Sequence, residues 1–281
     1  VNFGGDDIFK PKKLLKILPY PGGKNYMVGD LLRILPEHDI YVEPFVGGGS
    51  LFFAKVFTKP AKKFDVISDA YCDLINFYKR VAKGDLRKCE HLREINAPKV
   101  VDLAKKIYKT KGDKNLSACE FLLLSKGSYS GMASSGGRAK VSFPKSRPAH
   151  NKTLKTVLCN LDDYEHALRK TKILCGDFKK IMRKYDSPRT VFYLDPPYYS
   201  IKKFYKQESV TPKEIKSVTD KIKGKMILSY NKHPEVVETF CNSPKYHCYQ
   251  KTARYTFKLR RGEPGKYRSE LIITNFKLKR R

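Results

Sequence analysis

Leu194-Asp195-Pro196-Pro197-Tyr198-Tyr199 is the string in this chain best equipped to do chemistry. Two successive prolines after an apolar run forbid helix, remove two backbone donors and fix the path of the chain. Their carbonyls stay free to accept. Asp195 stands just before them and aromatic rings just after, so the loop offers a carboxylate, a pre-oriented carbonyl at Pro196 and a flat apolar face at Tyr198. That set suits a planar group with an amino group on its edge. The exocyclic nitrogen of adenine is such an amine, and it is a poor nucleophile because its lone pair is shared with the ring. Two acceptors holding its two N–H bonds favour the sp3 form, in which the lone pair is free to attack an activated methyl group in line. Positioning and electrostatics then supply the rate, without covalent catalysis or a metal. Asp195 need not remove a proton first, because the proton becomes acidic only after attack and then passes to Asp195 or to water. Tyr198 supplies a stacking face for a base rotated out of the duplex. Stacking of this kind contributes about 1–3 kcal/mol per base.

A second group of residues suits an adenosine compound. Ile40-Tyr41-Val42-Glu43-Pro44-Phe45 is a short apolar run that ends in Val46-Gly47-Gly48-Gly49-Ser50, with the helix-like Leu51-Phe52-Phe53-Ala54 behind it. Gly47, Gly48 and Gly49 let backbone approach a ligand that any Cβ would push away. Phe64 to Asp69 is a second strand candidate, and it too ends on an acid. Glu43 and Asp69 thus fall at or just before the ends of adjacent strand candidates, and the second is where nucleotide folds place a carboxylate that accepts ribose hydroxyls. No P-loop and no G-x-G-x-x-G is present, and the turn carries no Lys for a phosphate. The ligand expected is an adenosine compound without a triphosphate.

The elements that must position these residues follow a regular alternation. Further strand candidates are Ile173–Asp177, Val191–Asp195, Lys225–Asn231 and Leu271–Phe276, with helices between them. Repeated apolar strands and helices imply a largely parallel sheet covered on both faces, an α/β Rossmann-like fold. Ligands of such sheets bind beyond the carboxyl ends of the strands, where strand order reverses. From about residue 80 to 165 the alternation stops. That part reads as helices around one irregular piece between Ser125 and Lys152, rich in Gly, Ser and basic residues. The expected division is a catalytic domain made of residues 1–80 and 166–281, with 81–165 inserted as a mainly helical second domain. The first dozen residues read as a loose arm.

Composition narrows the partner. The chain has 281 residues, with 58 Lys and Arg against 28 Asp and Glu, for a net charge of +30. Ion-pair networks would need matching acids, which are missing here. A surplus of this size attracts polyanions, so a nucleic acid is the expected partner. No long apolar run marks a membrane span or a secretory leader, and a cytoplasmic setting, in a prokaryotic cell or for a virus-encoded protein, is expected. Seven cysteines are scattered without a C-x-x-C pair, and they read as reduced thiols with no metal site among them.

Together these strings resemble the D12 class, the Dam-like alpha group, of adenine-N6 DNA methyltransferases. The matching pieces, in the family's order, are Pro19-Tyr20-Pro21-Gly22-Gly23-Lys24, Val42 to Leu51, the Asp69 segment, Cys175-Gly176-Asp177-Phe178 and Tyr193 to Tyr198. Tyr185-Asp186-Ser187-Pro188 and Gly224 to Asn231 are similar to phage-type members. The resemblance implies S-adenosyl-L-methionine as methyl donor, with Tyr20, Lys24, Glu43, Phe45 and the Gly47–Gly49 turn helping to hold it and Asp69 taking the ribose. Asp177 would accept from the adenine amino group of the donor, and the Phe178 amide would donate to a ring nitrogen. Asp195, Pro196 and Tyr198 keep the roles derived above. The middle segment would be the target-recognition domain, where Ser128, Tyr129, Arg138, Lys140, Lys145 and Arg147 are the candidate DNA contacts. Double-stranded DNA is the implied partner, joined by a cognate restriction endonuclease where the enzyme serves a restriction-modification system. A monomer in solution is expected, with neither metal nor membrane. Some family members carry Lys where this chain has Pro19, so that contact does not transfer.

Three other readings use the same residues. RNA adenine methylation and cytosine-N4 methylation share the amine logic, but related enzymes of those kinds more often begin the loop with Asn or Ser rather than Asp195. A DNA-binding module without activity would be expected to lose the acid or the glycine turn, and this chain keeps both.

Overall fold

A computed structural model describes residues 17–20, 22–112, 115–128, 142–143, 151–197, 210–254 and 267–278. Five parallel strands form its centre: β1 (Ile40–Glu43), β2 (Phe64–Asp69), β3 (Thr171–Cys175), β4 (Thr190–Leu194) and β5 (Lys225–Asn231). Two more, β6 (His247–Arg254) and β7 (Tyr267–Thr274), complete a sheet of order β3-β2-β1-β4-β5-β7-β6, in which β7 runs antiparallel to both its neighbours. This is the α/β, Rossmann-like arrangement expected from the alternation. β6 is not apparent from the sequence, because its run of His, Gln, Lys and Arg at the edge of the sheet carries no apolar signature. β3 also ends two residues earlier than its apolar run suggests, which frees Gly176 and Asp177 for the loop beyond it.

Side chains alternate across the sheet, as the period of two requires. Tyr41, Ile67, Val191, Tyr193, Ile227 and Ile272 join one core, while Val42, Val66, Phe192, Leu194, Met226, Leu228 and Ile273 join another on the opposite face. The first core is roofed by α1 (Val28–Ile34), α2 (Ser50–Val56) and α3 (Cys72–Ala82), and the second by α8 (Phe178–Tyr185) and α9 (Pro212–Thr219). Burying both faces explains why the central strands read as near-continuous apolar runs.

Between β2 and β3 the described chain is helical, with a 3-10 segment (Asp85–Leu92), α4 (Ala97–Lys111), α5 (Ala118–Gly127), α6 (Asn151–Leu158) and α7 (Leu161–Arg169). Asn96 caps α4 by accepting from the Lys99 amide at 3.0 Å, and Ser117 and Glu120 form a reciprocal capping box on α5. Phe121, Leu122, Leu154, Leu161 and Tyr164 are buried in the same core as the first face of the sheet, with α7 packed on α3. Tyr129, Arg138, Lys140, Lys145, Arg147 and Tyr198 lie outside the described residues, as does the amino-terminal arm.

The expectation of reduced, scattered thiols is corrected. Disulfides join Cys72 to Cys175, Cys89 to Cys119 and Cys241 to Cys248, leaving Cys159 free and exposed. Register explains the first pair. Asp69 lies opposite Cys175 in the β2–β3 ladder, so the start of α3 is carried to the end of β3, with a Cα separation of 5.2 Å across 103 residues of sequence. Sequence spacing cannot reveal a pairing that strand order creates. Among the described residues no group of His, Cys, Asp and Glu could hold a metal, and no helix is long and apolar enough to cross a membrane.

Candidate active site

Strand order reverses between β1 and β4, since β2 and β3 extend the sheet one way from β1 while β5 extends it the other way from β4. A cleft of about 310 Å³ opens at that point beyond the carboxyl ends of the strands. Tyr20, Lys24, Glu43, Phe45, Gly47, Gly48, Gly49, Asp69, Asp177, Phe178, Asp195 and Pro196 all line it. The sequence-derived cofactor residues and the described part of the catalytic loop therefore meet in one cavity.

The glycine turn is shaped by what lies on it. Gly47 and Gly49 have φ of +45° and +66°, values in the left-handed region that residues with a Cβ rarely adopt. A Cβ on Gly47 would sit 2.8 Å from the Tyr20 ring, and one on Gly48 would sit 2.9 Å from the Tyr20 Cβ. Tyr20 thus lies flat on the bare backbone. The turn is pinned from below by the Tyr78 hydroxyl, which donates to the Gly47 carbonyl at 2.7 Å.

Asp69 ties the turn to β2. One of its oxygens accepts from the Gly47 amide at 3.1 Å and the other from the Tyr71 amide at 2.9 Å. Burial raises its pKa to about 6, with the backbone amides holding it back. Each carboxylate oxygen retains a lone pair for a ligand hydroxyl. Across the mouth, Asp177 caps α8 by accepting from the Lys179 amide at 2.8 Å. The Phe45 and Phe178 rings stand 5.0 Å apart and give an apolar wall. Lys179 and Glu214, paired at 2.8 Å, close the far edge.

Two acids face the inner end. Glu43 is 2% exposed, and its Oε2 accepts from the Tyr41 hydroxyl at 2.7 Å. Burial pushes its pKa up to about 8, the Tyr41 hydrogen bond opposes that, and the charge of nearby Asp195 adds to it. Asp195 follows the last residue of β4. Its Oδ1 accepts from Lys24 Nζ at 2.7 Å and from the Ser229 hydroxyl at 3.0 Å. Burial raises its pKa above the usual carboxylate value, while Lys24 and Ser229 pull it down. Lys24, placed by the resemblance among the cofactor residues, also donates to the Gly22 carbonyl at 3.1 Å, so it joins the Gly22-Gly23 turn to the catalytic acid.

Ser128 is the one candidate DNA contact within the described residues. It closes α5, 3% exposed, with its hydroxyl donating to the Ser125 carbonyl at 3.3 Å, and so presents no open surface. Sequence reasoning misses Ser229, Tyr193, Gly176 and Glu214. Ser229 lies in the Gly224 to Asn231 stretch that resembles phage-type members, but that stretch gives it no role, and only the parallel register of β4 and β5 brings it beside Asp195.

A family model described as D12 class N6 adenine-specific DNA methyltransferase matches residues 20–257. A type II methyltransferase of Methanocaldococcus jannaschii, M.MjaIII, is 32% identical over 206 residues, covering 66% of this chain and 70% of that protein. The DNA N-6-adenine-methyltransferase of Escherichia phage P1 is 27% identical over 189 residues, which cover 65% of this chain and 24% of that protein. The DNA adenine methylase of Escherichia coli K12 is 28% identical over 193 residues, covering 66% of each. The glycine turn, the acids at the strand ends and the Asp-Pro-Pro loop all fall within the matched span, and the chain belongs to the D12 class of N6 adenine-specific DNA methyltransferases.

Proposed function

We propose that this protein transfers a methyl group from S-adenosyl-L-methionine to the N6 amine of an adenine flipped out of double-stranded DNA. The observation that carries the reading is the meeting of the glycine turn after β1 and the Asp195-Pro196-Pro197 loop after β4 in one cleft at the switch point. The cleft fits the donor by its chemistry. Backbone that a Cβ would fill lies under Tyr20, the buried Glu43 carboxyl sits at the inner end for a cation, and an apolar wall with an acid beside it suits a purine at the outer end. Tyr20, Phe45 and the Gly47–Gly49 turn would hold the donor, with Asp69 on its ribose and Asp177 and Phe178 around its purine. When bound, the donor supplies an electrophilic methyl group on a sulfonium.

The remaining work belongs to the chain. Asp195 and the Pro196 carbonyl accept the two N–H bonds of the target amine and hold its lone pair toward the methyl group, and Asp195 or water takes the proton after attack. Tyr198 is assigned the stacking face. Glu43, too deeply buried to reach a base, balances positive charge at the inner end. Residues 1–80 and 166–281 form the catalytic domain in this reading, and residues 81–165 the target-recognition domain, where Tyr129, Arg138, Lys140, Lys145 and Arg147 would contact DNA. Service beside a cognate restriction endonuclease fits the same reading.

The test is incubation with labelled donor and DNA, digestion to nucleosides and identification of the product. N6-methyladenine in DNA is the expected product. N4-methylcytosine, or label confined to RNA, would replace this reading with a rival. Asp195→Ala should abolish transfer while donor binding, measured by calorimetry, stays within about threefold of wild type. Retained turnover would remove Asp195 from the mechanism.

A further inference from the structure

Asp195 carries the chemistry, yet one of its oxygens is already spent. Lys24 and Ser229 both bond Oδ1, and among the described residues no group bonds Oδ2. The oxygen left for a substrate amine is therefore Oδ2, and whatever fixes Oδ1 sets where Oδ2 points.

A count of protons gives the direction of the bonds behind it. Ser229 Oγ lies 3.0 Å from Asp195 Oδ1, 3.5 Å from the Leu194 carbonyl and 3.0 Å from the Tyr193 hydroxyl oxygen. A serine hydroxyl has one proton. A carboxylate oxygen can only accept, so the serine proton goes to Asp195, and Tyr193 must be the donor to Ser229. Tyr193 keeps its proton throughout the working range, because burial and the Asp195 charge raise its pKa well above 10. The three residues stand together by register. Leu194 lies level with Leu228 in the β4–β5 pair, so Asp195 comes level with Ser229, and Tyr193 lies opposite Ile227 on the same face. Tyr193 is 2% exposed and Ser229 fully buried, which keeps water from substituting for either hydroxyl.

We infer that Tyr193 and Ser229 form a hydroxyl relay that positions Asp195, turning it so that Oδ2 meets the target amine. Both are positioning residues, since the Tyr193 hydroxyl is spent on Ser229 and the Ser229 proton on Asp195, so each acts on the amine through Asp195. The inference rests on the catalytic role given to Asp195.

The relay is tested in the full-length protein with Ser229→Ala, the near-isosteric Tyr193→Phe and the double variant, using single-turnover methylation of DNA across pH together with calorimetric donor binding. Ser229→Ala should slow methyl transfer about tenfold at neutral pH, the order expected for losing a hydrogen bond to a charged group. It should also move the acid limb of the rate profile to higher pH, because the hydroxyl that favours the ionised carboxylate is gone. Tyr193→Phe should shift the limb in the same direction by less. The double variant should be no slower than Ser229→Ala, because Tyr193 acts only through Ser229. Donor affinity should stay near wild type in all three variants, and the thermal midpoint should fall in Ser229→Ala, which strands the buried Tyr193 hydroxyl, and recover in the double variant, which strands none; a merely structural role would leave the limb in place. An unmoved acid limb in Ser229→Ala, or additive losses in the double variant, overturns the relay. Asp195→Asn separates the two failures. If it is inactive while Ser229→Ala and Tyr193→Phe keep the wild-type profile, only the relay falls; if it transfers methyl groups at the wild-type rate, the reading of Asp195 falls first.

Discussion

Replacing Glu43 by Gln should change how donor binding responds to pH. With its pKa pushed up to about 8 by burial, Glu43 is about nine-tenths protonated at pH 7 in the free protein. A cationic donor placed at the inner end of the cleft favours the carboxylate, so binding must expel that proton. Asp69, at about 6, is then about one-tenth protonated and adds little. The expected release is about one proton per donor bound at pH 7. Apparent affinity should weaken about tenfold, or about 1.4 kcal/mol, for each pH unit below 8. The cofactor's own amino group is already largely ammonium between pH 6 and 7 and contributes little there. Calorimetry in buffers of different ionisation heat counts the proton directly, and Glu43→Gln should reduce the count to about one-tenth.

The same shift has a consequence for the free fold. A carboxyl raised from 4.5 to about 8 is protonated in the folded protein but ionised in the unfolded chain between those values, so stability falls as pH rises through that window and levels off above it. The melting temperature should drop between pH 6 and pH 8.5 in the wild type. Glu43→Gln, which keeps an oxygen to accept from Tyr41, should flatten that fall. Zero proton release by the wild type, or equal release by wild type and Glu43→Gln, would refute the reasoning.

Three further outcomes follow from the geometry. Gly47→Ala places a Cβ 2.8 Å from the Tyr20 ring at a φ of +45°, so it should cost about 1–3 kcal/mol in urea unfolding and weaken donor binding at least about tenfold. Lys55, fully buried, pairs with Asp65 beneath the Tyr41 ring; Lys55→Ala strands that carboxylate and should cost about 3–5 kcal/mol, whereas Lys55→Met combined with Asp65→Leu should recover most of the loss on the same assay. Removing Lys277-Leu278-Lys279-Arg280-Arg281 should flatten the dependence of log affinity for DNA on log salt by about 0.9 for each phosphate no longer neutralised, without changing the base methylated.

The acids at the ends of strands are legible because a strand that stops at a ligand leaves a polar residue after an apolar run. Glu43, Asp69 and Asp195 carry that signal, and the glycines between Val46 and Ser50 announce a close approach of backbone. Ser229 carries none, because a serine inside Ile227-Leu228-Ser229-Tyr230 becomes meaningful only when β5 is known to lie beside β4 in one register. β6 is hidden for a related reason. An edge strand needs only one good neighbour, and β7 provides it, so its own sequence can stay polar. The pairing of Cys72 with Cys175 depends on the same strand order.

That pairing makes part of the chain a closed ring. Residues 73 to 174, which contain every helix from the 3-10 segment to α7, hang from a single covalent knot whose Cys175 sits beside Gly176 and Asp177 at the cleft. A protease that cuts anywhere within this span would leave one molecule of unchanged mass apart from an added water, and two fragments would separate only after a thiol opened the knot. Nicking the segment assigned to DNA-site selection would therefore leave its two ends fastened at the cofactor cleft.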